Sequence, residues 1–201
     1  MPKHVDPGHP CPCTSGQSFG ACCRPYLRAE REPPDAVSLM RSRFTAFALE
    51  HAEHLLRTIA PGHPDRARPA ADVLKDLRRA CRTFEYRALQ ILGHKEADAA
   101  GRSLVLFHAH LGDRGRERSF VELSDFVHDG VGFRYLSGQL RDGADLKKSD
   151  PPLTIATFTP SVHPPHAGHE GHAGHEGHAG HAAPEAAARH GRPPRPKDGW
   201  R

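Results

Sequence analysis

The chain has 201 residues, of which 37% are hydrophobic and 26% charged, with a formal net charge of +4 at pH 7. This length allows one ordinary core with appendages. The sequence has neither an apolar run of about 18 residues nor an apolar stretch after Lys3, which excludes a membrane-spanning helix and predicts no secretion signal. We therefore expect a cytoplasmic protein without membrane insertion. Basic and acidic residues interleave, so nucleic-acid binding is not indicated.

Four of the five cysteines lie near the N-terminus, in a Cys-Pro-Cys and a Cys-Cys pair separated by a Ser15-Gly16 turn. They are Cys11, Cys13, Cys22 and Cys23. Tetrahedral zinc takes four thiolates at about 2.3 Å, and two short cysteine turns facing each other supply them. A pair of disulfides and thiol redox chemistry are the alternatives. A reducing compartment favours the metal.

The pattern C-P-C-x-S-G-x-x-F-x-x-C-C-x-P resembles the SEC-C motif, a small zinc-binding module also found at the C-terminus of the SecA translocase motor. The resemblance implies that residues 8–28 form such a module, with Cys11, Cys13, Cys22 and Cys23 as ligands of a structural zinc. Thr14 stands where the motif usually has Gly, which changes the turn without removing a ligand. By analogy with the SecA module, a protein partner in protein export or on the ribosome is expected.

Two helices are predicted in the next part of the chain. Pro33, Pro34 and Asp35 form a helix start. The apolar stripe that follows predicts one long amphipathic helix ending before Pro61. The stripe consists of Val37, Met40, Phe44, Phe47, His51 and Leu55. A second helix is predicted over 70–82, with Val73, Leu77 and Cys81 on its apolar side.

After residue 83 the periodicity changes to that of strands. Segments 84–92, 103–111, 118–127 and 131–138 are rich in Phe, Val, Leu and Tyr and are separated by turns with Gly or Asp. Helices followed by hairpin-connected strands predict an α+β fold with the helices on one face of an antiparallel sheet.

Further segments extend the resemblance. Arg24-Pro-Tyr-Leu27, LMRSRFTAF at 39–47 and HLLRT before Pro61 are similar to the opening of the YchJ-like family of uncharacterised bacterial proteins. The resemblance implies a SEC-C motif followed by a nuclear-transport-factor-two-like (NTF2-like, cystatin-like) cone at residues 33–140. The chain departs from the family in lacking a second SEC-C motif, and in having Phe133-Arg134-Tyr135 where an aromatic W-Y-Y strand is usual.

A cone of this kind can open a pocket between its sheet and its helices. The candidate pocket residues are His108, His110, Glu122, Ser124 and Arg43. A His–Glu acid–base pair would form if their strand faces meet in the concavity. Alternatively these residues form the solvated face of the sheet, while Val105, Phe107, Ala109 and Leu111 face the core. No motif for a nucleophile elbow, a phosphate loop or a dinucleotide site is present, so no reaction is predicted and a non-enzymatic role is favoured.

The C-terminal part loses the core-forming pattern. Residues 141–162 are predicted to be a linker, and 163–201 a disordered His- and Gly-rich tail. Seven histidines recur there at intervals of three: His163, His166, His169, His172, His175, His178 and His181. Neutral imidazole suits zinc, nickel, cobalt and copper, so weak and exchangeable binding is expected. The alternative is a nearly inert low-complexity linker.

These features give three hypotheses of function. The first is a non-enzymatic zinc-binding adaptor whose cysteine module forms a docking knob beside a ligand-binding cone, with a protein partner. In that interpretation Cys22→Ser with Cys23→Ser unfolds the knob and leaves the core folded. The second is an enzyme with its site in the cone, and the third is a metal buffer or chaperone acting through the tail.

Overall fold

The computed structural model describes residues 2–148 and 152–160, and in them four α-helices precede one five-stranded antiparallel sheet. The helices are α1 (Arg24–Leu27), α2 (Ala36–Leu49), α3 (Ala52–Arg57) and α4 (Ala70–Thr83), with 3₁₀ helices at Pro64–Ala67 and Gly143–Lys148. The strands are β1 (Glu85–Lys95), β2 (Arg102–Asp113), β3 (Arg116–Glu117), β4 (Phe120–His128) and β5 (Phe133–Asp142). The predicted α+β class is confirmed. No helix in these ranges is long and apolar enough to cross a membrane.

The sheet has the spatial order β1-β2-β4-β5, and the short β3 pairs with the end of β2. Phe107 of β2 lies opposite Glu122 of β4, and His108 lies opposite Val121. Because side chains alternate between the two faces, this register sends Phe107 and Glu122 to the helix side, and His108 and Val121 to the other side. The predicted core face of β2 is confirmed, since Val105, Phe107, Ala109 and Leu111 are all buried in the main core.

The single long helix predicted through Leu55 is wrong, because the chain breaks between α2 and α3. Asp35 caps the start of α2 as predicted, its carboxylate accepting the N–H of Ser38 at 2.6 Å. At the other end Glu50 adopts a left-handed conformation with φ of 61°. The carbonyl of Leu49 accepts the N–H of Lys3 at 2.8 Å instead of continuing the helix. Local bonds also close α2 here, since the N–H of His51 donates to the carbonyl of Ala46 at 2.8 Å, and the apolar periodicity alone does not mark this ending.

The helix predicted over 70–82 is confirmed as α4, which packs on α3 and α2. Val73, Leu77 and Cys81 are buried there with Leu55 and Ile59. Burial raises the pKa of the Cys81 thiol to about 12, so this cysteine is a small core residue that stays protonated at neutral pH.

The outer face of the sheet is covered in part by the chain that follows β5. Residues 141–162 were expected to be a linker, but β5 continues to Asp142 and a 3₁₀ helix follows it. Leu153 then packs on Leu106 and Val121. This packing shields apolar outer-face positions that a half-solvated sheet would leave in water.

Candidate functional site

The structure brings the four N-terminal cysteines together. Their sulfur atoms all lie within 4.8 Å of one another. The Cys22 sulfur is 3.6 Å from the sulfur of Cys13 and 3.6 Å from that of Cys23. A tetrahedron of thiolates at about 2.3 Å from zinc places its sulfurs about 3.8 Å apart, so the donor set and its spacing fit this ion. All five cysteines of the chain are free thiols in this arrangement.

A short turn closed by backbone hydrogen bonds places the two cysteine pairs opposite each other. Pro10 pairs with Ser18 in an isolated antiparallel bridge, and the N–H of Cys11 donates to the carbonyl of Gln17 at 2.9 Å. Gly16, with φ of 83°, makes the reversal between them. The N–H of Cys22 donates to the carbonyl of Ser18 at 3.0 Å, which leads directly into α1. Local backbone bonding therefore builds the ligand geometry.

Thr14, the departure from the motif, joins the turn to the sheet. It has a φ of 54°, a left-handed conformation that is unfavourable for a β-branched residue and natural for Gly. Its hydroxyl oxygen lies 2.9 Å from the carbonyl oxygen of Leu89 and accepts the N–H of Leu89 at 3.1 Å. Leu89 belongs to β1, an edge strand of the sheet. The hydroxyl thus provides a connection that Gly cannot make.

The four thiols of the cluster differ in their pKa values. The contact with the Cys11 thiol is the main cause that lowers the pKa of Cys22 to about 7, and it also lowers the pKa of Cys13. Contacts with the neighbouring thiols raise the pKa values of Cys11 and Cys23. Four thiolates at this spacing repel one another, and a divalent cation is the group that would hold all four in the charged form.

Three of the four cysteines are buried, and the fourth is partly exposed to solvent. Cys11 is 3% exposed, and Cys13 and Cys23 are 0% exposed. Cys22 is half-buried and forms part of the wall of a cleft of about 700 Å³, which we call the motif cleft. Its walls include Cys22, Tyr26, Arg31, Arg41, Ile91 and His94. Arg41 also donates to the carbonyl of Cys13 at 3.1 Å, which ties α2 to the cysteine turn.

The cysteine module shares its core with the rest of the protein. Cys11, Cys13, Phe19 and Cys23 belong to the same buried cluster as Leu39, Phe44, Leu89 and Phe107. This packing differs from the separate knob expected from the sequence, because the apolar side chains of the module face the domain and not one another.

The structure divides the candidate pocket residues between the two faces of the sheet. Arg43 and Glu122 line a cavity of about 70 Å³ between α2 and the inner face, which we call the cone cavity. The hydroxyl of Ser124 donates to the carboxylate of Glu122. His108 and His110 lie on the outer face, with their ring centroids 4.0 Å apart. The proposed His–Glu acid–base pair therefore does not form, because the register of β2 and β4 places its members on opposite faces.

Tyr135 is the cavity residue that the sequence analysis missed. Its ring lies under the guanidinium of Arg43, 4.7 Å from Cζ to the ring centroid, and its hydroxyl donates to Glu122 at 3.3 Å. Burial raises its pKa well above the usual range, so the hydroxyl stays protonated. The pairing of β4 and β5 shifts register between Asp125 and Phe126. Strand alternation alone does not reveal such a shift, although Phe133-Arg134-Tyr135 is one of the segments at which the chain departs from the family pattern.

The seven tail histidines, His163 to His181, lie outside the described residues. Metal binding by the tail, with zinc, nickel, cobalt or copper, therefore stays a prediction.

Comparisons with known proteins agree with this geometry. The family model described as YchJ, middle NTF2-like domain, matches residues 35–138, just over half of the chain. A SEC-C motif containing protein from Rhodopseudomonas palustris has a similar solved structure, with 28% sequence identity and a TM-score of 0.57 over 66% of this chain and 98% of that one. A SEC-C motif containing protein from Psychrobacter arcticus shares the fold at 20% identity and a TM-score of 0.55, over 64% of this chain and 81% of that one.

Proposed function

This chain belongs to the YchJ family, and from that membership and the cysteine geometry we propose that it is a zinc-binding protein that acts as a non-enzymatic adaptor in the cytoplasm. The observation that carries the proposal is the set of four cysteine sulfurs within 4.8 Å of one another. Four protein ligands leave no open position for substrate or water, which is typical of a structural zinc site and not of a catalytic one. In a reducing compartment the thiols remain available as ligands.

The zinc, when bound, cross-links the two cysteine turns and holds the module against the domain. Cys11, Cys13, Cys22 and Cys23 are its ligands. Because Cys22 also forms part of the motif cleft, the ion fixes the shape of that surface. An ordered surface next to a structural zinc is suited to docking a protein, and the resemblance to the SecA module points to a partner in protein export or on the ribosome.

Elemental analysis of protein purified without a metal column tests the zinc assignment. We expect one zinc per chain in a truncation after Pro160 and in Cys81→Ala, a matched control that removes the thiol outside the cluster. We expect no zinc in Cys13→Ser when this variant is made in the same truncation, which lacks the histidine tail. Zinc in excess of one in the full chain would belong to the histidine tail. A truncation without tightly held metal would overturn the assignment.

Binding to purified SecA and co-sedimentation with ribosomes test the adaptor role. Arg31 is exposed at the motif cleft with its guanidinium carbon 5.1 Å from the ring centroid of Tyr26. We expect Arg31→Glu to weaken binding to an acidic partner surface, and Arg114→Glu, at a side chain that is 95% exposed in the turn between β2 and β3, to leave it unchanged. Binding by neither partner would remove the export and ribosome link and leave the zinc assignment standing.

A further inference from the structure

The cone cavity lies away from the cysteines and has no part in the adaptor role. Its walls are mainly apolar and aromatic: Met40, Phe44, Phe47, Tyr86, Phe107 and Phe120. Polar groups enter it only from Arg43, Glu122 and Tyr135 among the described lining residues. An apolar cavity with a few convergent polar groups is the usual form of a small-molecule site.

Arg43 brings a positive charge into this cavity. It is 3% exposed, and burial lowers its pKa only to about 10, so it remains charged at neutral pH. Nη1 donates to the carbonyl of Leu55 at 3.0 Å and to the hydroxyl of Thr58 at 2.7 Å. Within residues 2–148 and 152–160, no carboxylate forms an ion pair with Arg43, and no atom accepts a hydrogen bond from Nε or Nη2. Glu122 interacts with this cation electrostatically but does not pair with it directly, so an anion that reached Nη2 would gain a charge-assisted hydrogen bond.

Glu122 lines the same cavity and interacts with Arg43 electrostatically, without a direct ion pair. Its Oε1 accepts the hydroxyl of Ser124 and, at 3.3 Å, the hydroxyl of Tyr135. Burial raises the pKa of the carboxyl, against the opposing effects of the Ser124 and Tyr135 hydroxyls and of the charge on Arg43. Oε2 accepts no hydrogen bond from the residues that the structure describes. When it is protonated, Glu122 can donate to the same anion that Arg43 attracts.

We propose that the cone cavity is a binding site for a small monocarboxylate with a short apolar chain. The carboxylate accepts from the guanidinium of Arg43 and from the carboxyl of Glu122, and the chain packs on the aromatic walls. A cavity of about 150 Å³ holds benzene, so one of about 70 Å³ takes a smaller molecule, with fewer heavy atoms than benzene. One negative charge matches the one cation, which favours a monoanion over phosphate.

Calorimetry on the zinc-loaded full chain tests this site with propionate, propionamide, inorganic phosphate and benzoate as probes. We expect propionate to bind and the other three to bind about 10- to 100-fold more weakly, since the amide lacks charge, phosphate lacks an apolar body and benzoate is too large. Equal binding of propionamide or phosphate would overturn the proposal, and so would the absence of propionate binding at about 10 mM.

Variants show whether propionate binds in the cavity. Arg43→Gln is expected to weaken binding about 10- to 100-fold, and Glu122→Gln, which retains a donor, to change it little. Ala109→Leu fills the cavity without removing a charge and is expected to abolish binding. If Arg43→Gln fails to fold, the propionate affinity of Ala109→Leu tests the proposal. Propionate binding that survives Ala109→Leu in a folded protein would place the ligand elsewhere and overturn the proposal.

Discussion

Cys13→Ser is expected to lower the free energy of unfolding of the whole protein by at least about 3 kcal/mol, in one cooperative transition. Cys13 is 0% exposed and lies in the same buried cluster as Leu39 and Leu89. Structural zinc contributes about 10–16 kcal/mol in small zinc-binding peptides, which is comparable to the about 5–15 kcal/mol stability of a complete domain. Loss of the ion should therefore weaken the core that the module shares with the domain. Urea unfolding followed by circular dichroism measures the change.

Cys81→Ala is the control for this experiment, because it removes a buried thiol that does not belong to the four-cysteine cluster. Its cost is expected to be about 1 kcal/mol and independent of zinc. Addition of a strong chelator should move the wild-type midpoint to that of Cys13→Ser and leave the midpoint of Cys13→Ser unchanged. Two separate transitions, with the larger one insensitive to zinc, would show instead an independent module of the kind first expected from the sequence.

Phe44→Ala is expected to cost about 3–5 kcal/mol of stability. Phe44 is 2% exposed, and its ring meets that of Tyr86 edge to face, with centroids 5.7 Å apart. The side chain lies in the main core and also forms part of the cone cavity. Its removal therefore joins a new apolar void to the existing cavity. Denaturant unfolding of the zinc-loaded variant gives the magnitude.

The enlarged cavity provides a second measurement. An engineered apolar void of about 150 Å³ binds benzene, so saturating benzene should raise the melting temperature of Phe44→Ala and leave that of the wild type unchanged. Phe44→Leu retains most of the volume and is expected to cost less than about 1.5 kcal/mol. Equal costs for the two variants, or a benzene effect on the wild type, would contradict the assignment of Phe44 to the cavity wall.

The sequence predicts the order of elements well because apolar periodicity is a local property. The α4 helix follows from spacing alone, and spacing also places Val105, Phe107, Ala109 and Leu111 on one face of β2. The break after Leu49 does not, because it depends on the left-handed cap at Glu50 and on a hydrogen bond from Lys3, 46 positions earlier in the chain. Residues 50–55 retain the spacing of a helix stripe, so periodicity alone does not mark this ending.

The sequence likewise predicts one part of the candidate site and not the other. The cysteine ligands are close in sequence, and their spacing carries most of their geometry. The cone cavity depends on which residues of separate strands face each other. Glu122 reaches the cavity through the register of β2 and β4, and Tyr135 through a register shift between β4 and β5. Strand alternation assigns residues to two faces but does not say which face is inward. The hypothesis of a His–Glu acid–base pair is wrong for this reason, since the histidines of β2 and Glu122 lie on opposite faces.

The contact between Thr14 and Leu89 has a consequence for solubility. An unpaired edge strand is a template for pairing with other chains. Thr14 occupies backbone groups of β1 at one edge of the sheet. At the opposite edge, Tyr135 of β5 donates its N–H to the carbonyl of Thr58 at 2.8 Å, and its own carbonyl accepts the N–H of Ala60 at 2.8 Å. Both edges are thus obstructed, and one of the obstructions is the turn that the cysteines organise. If the cysteines hold a metal as proposed, its loss would expose β1, and aggregation through strand addition is then expected.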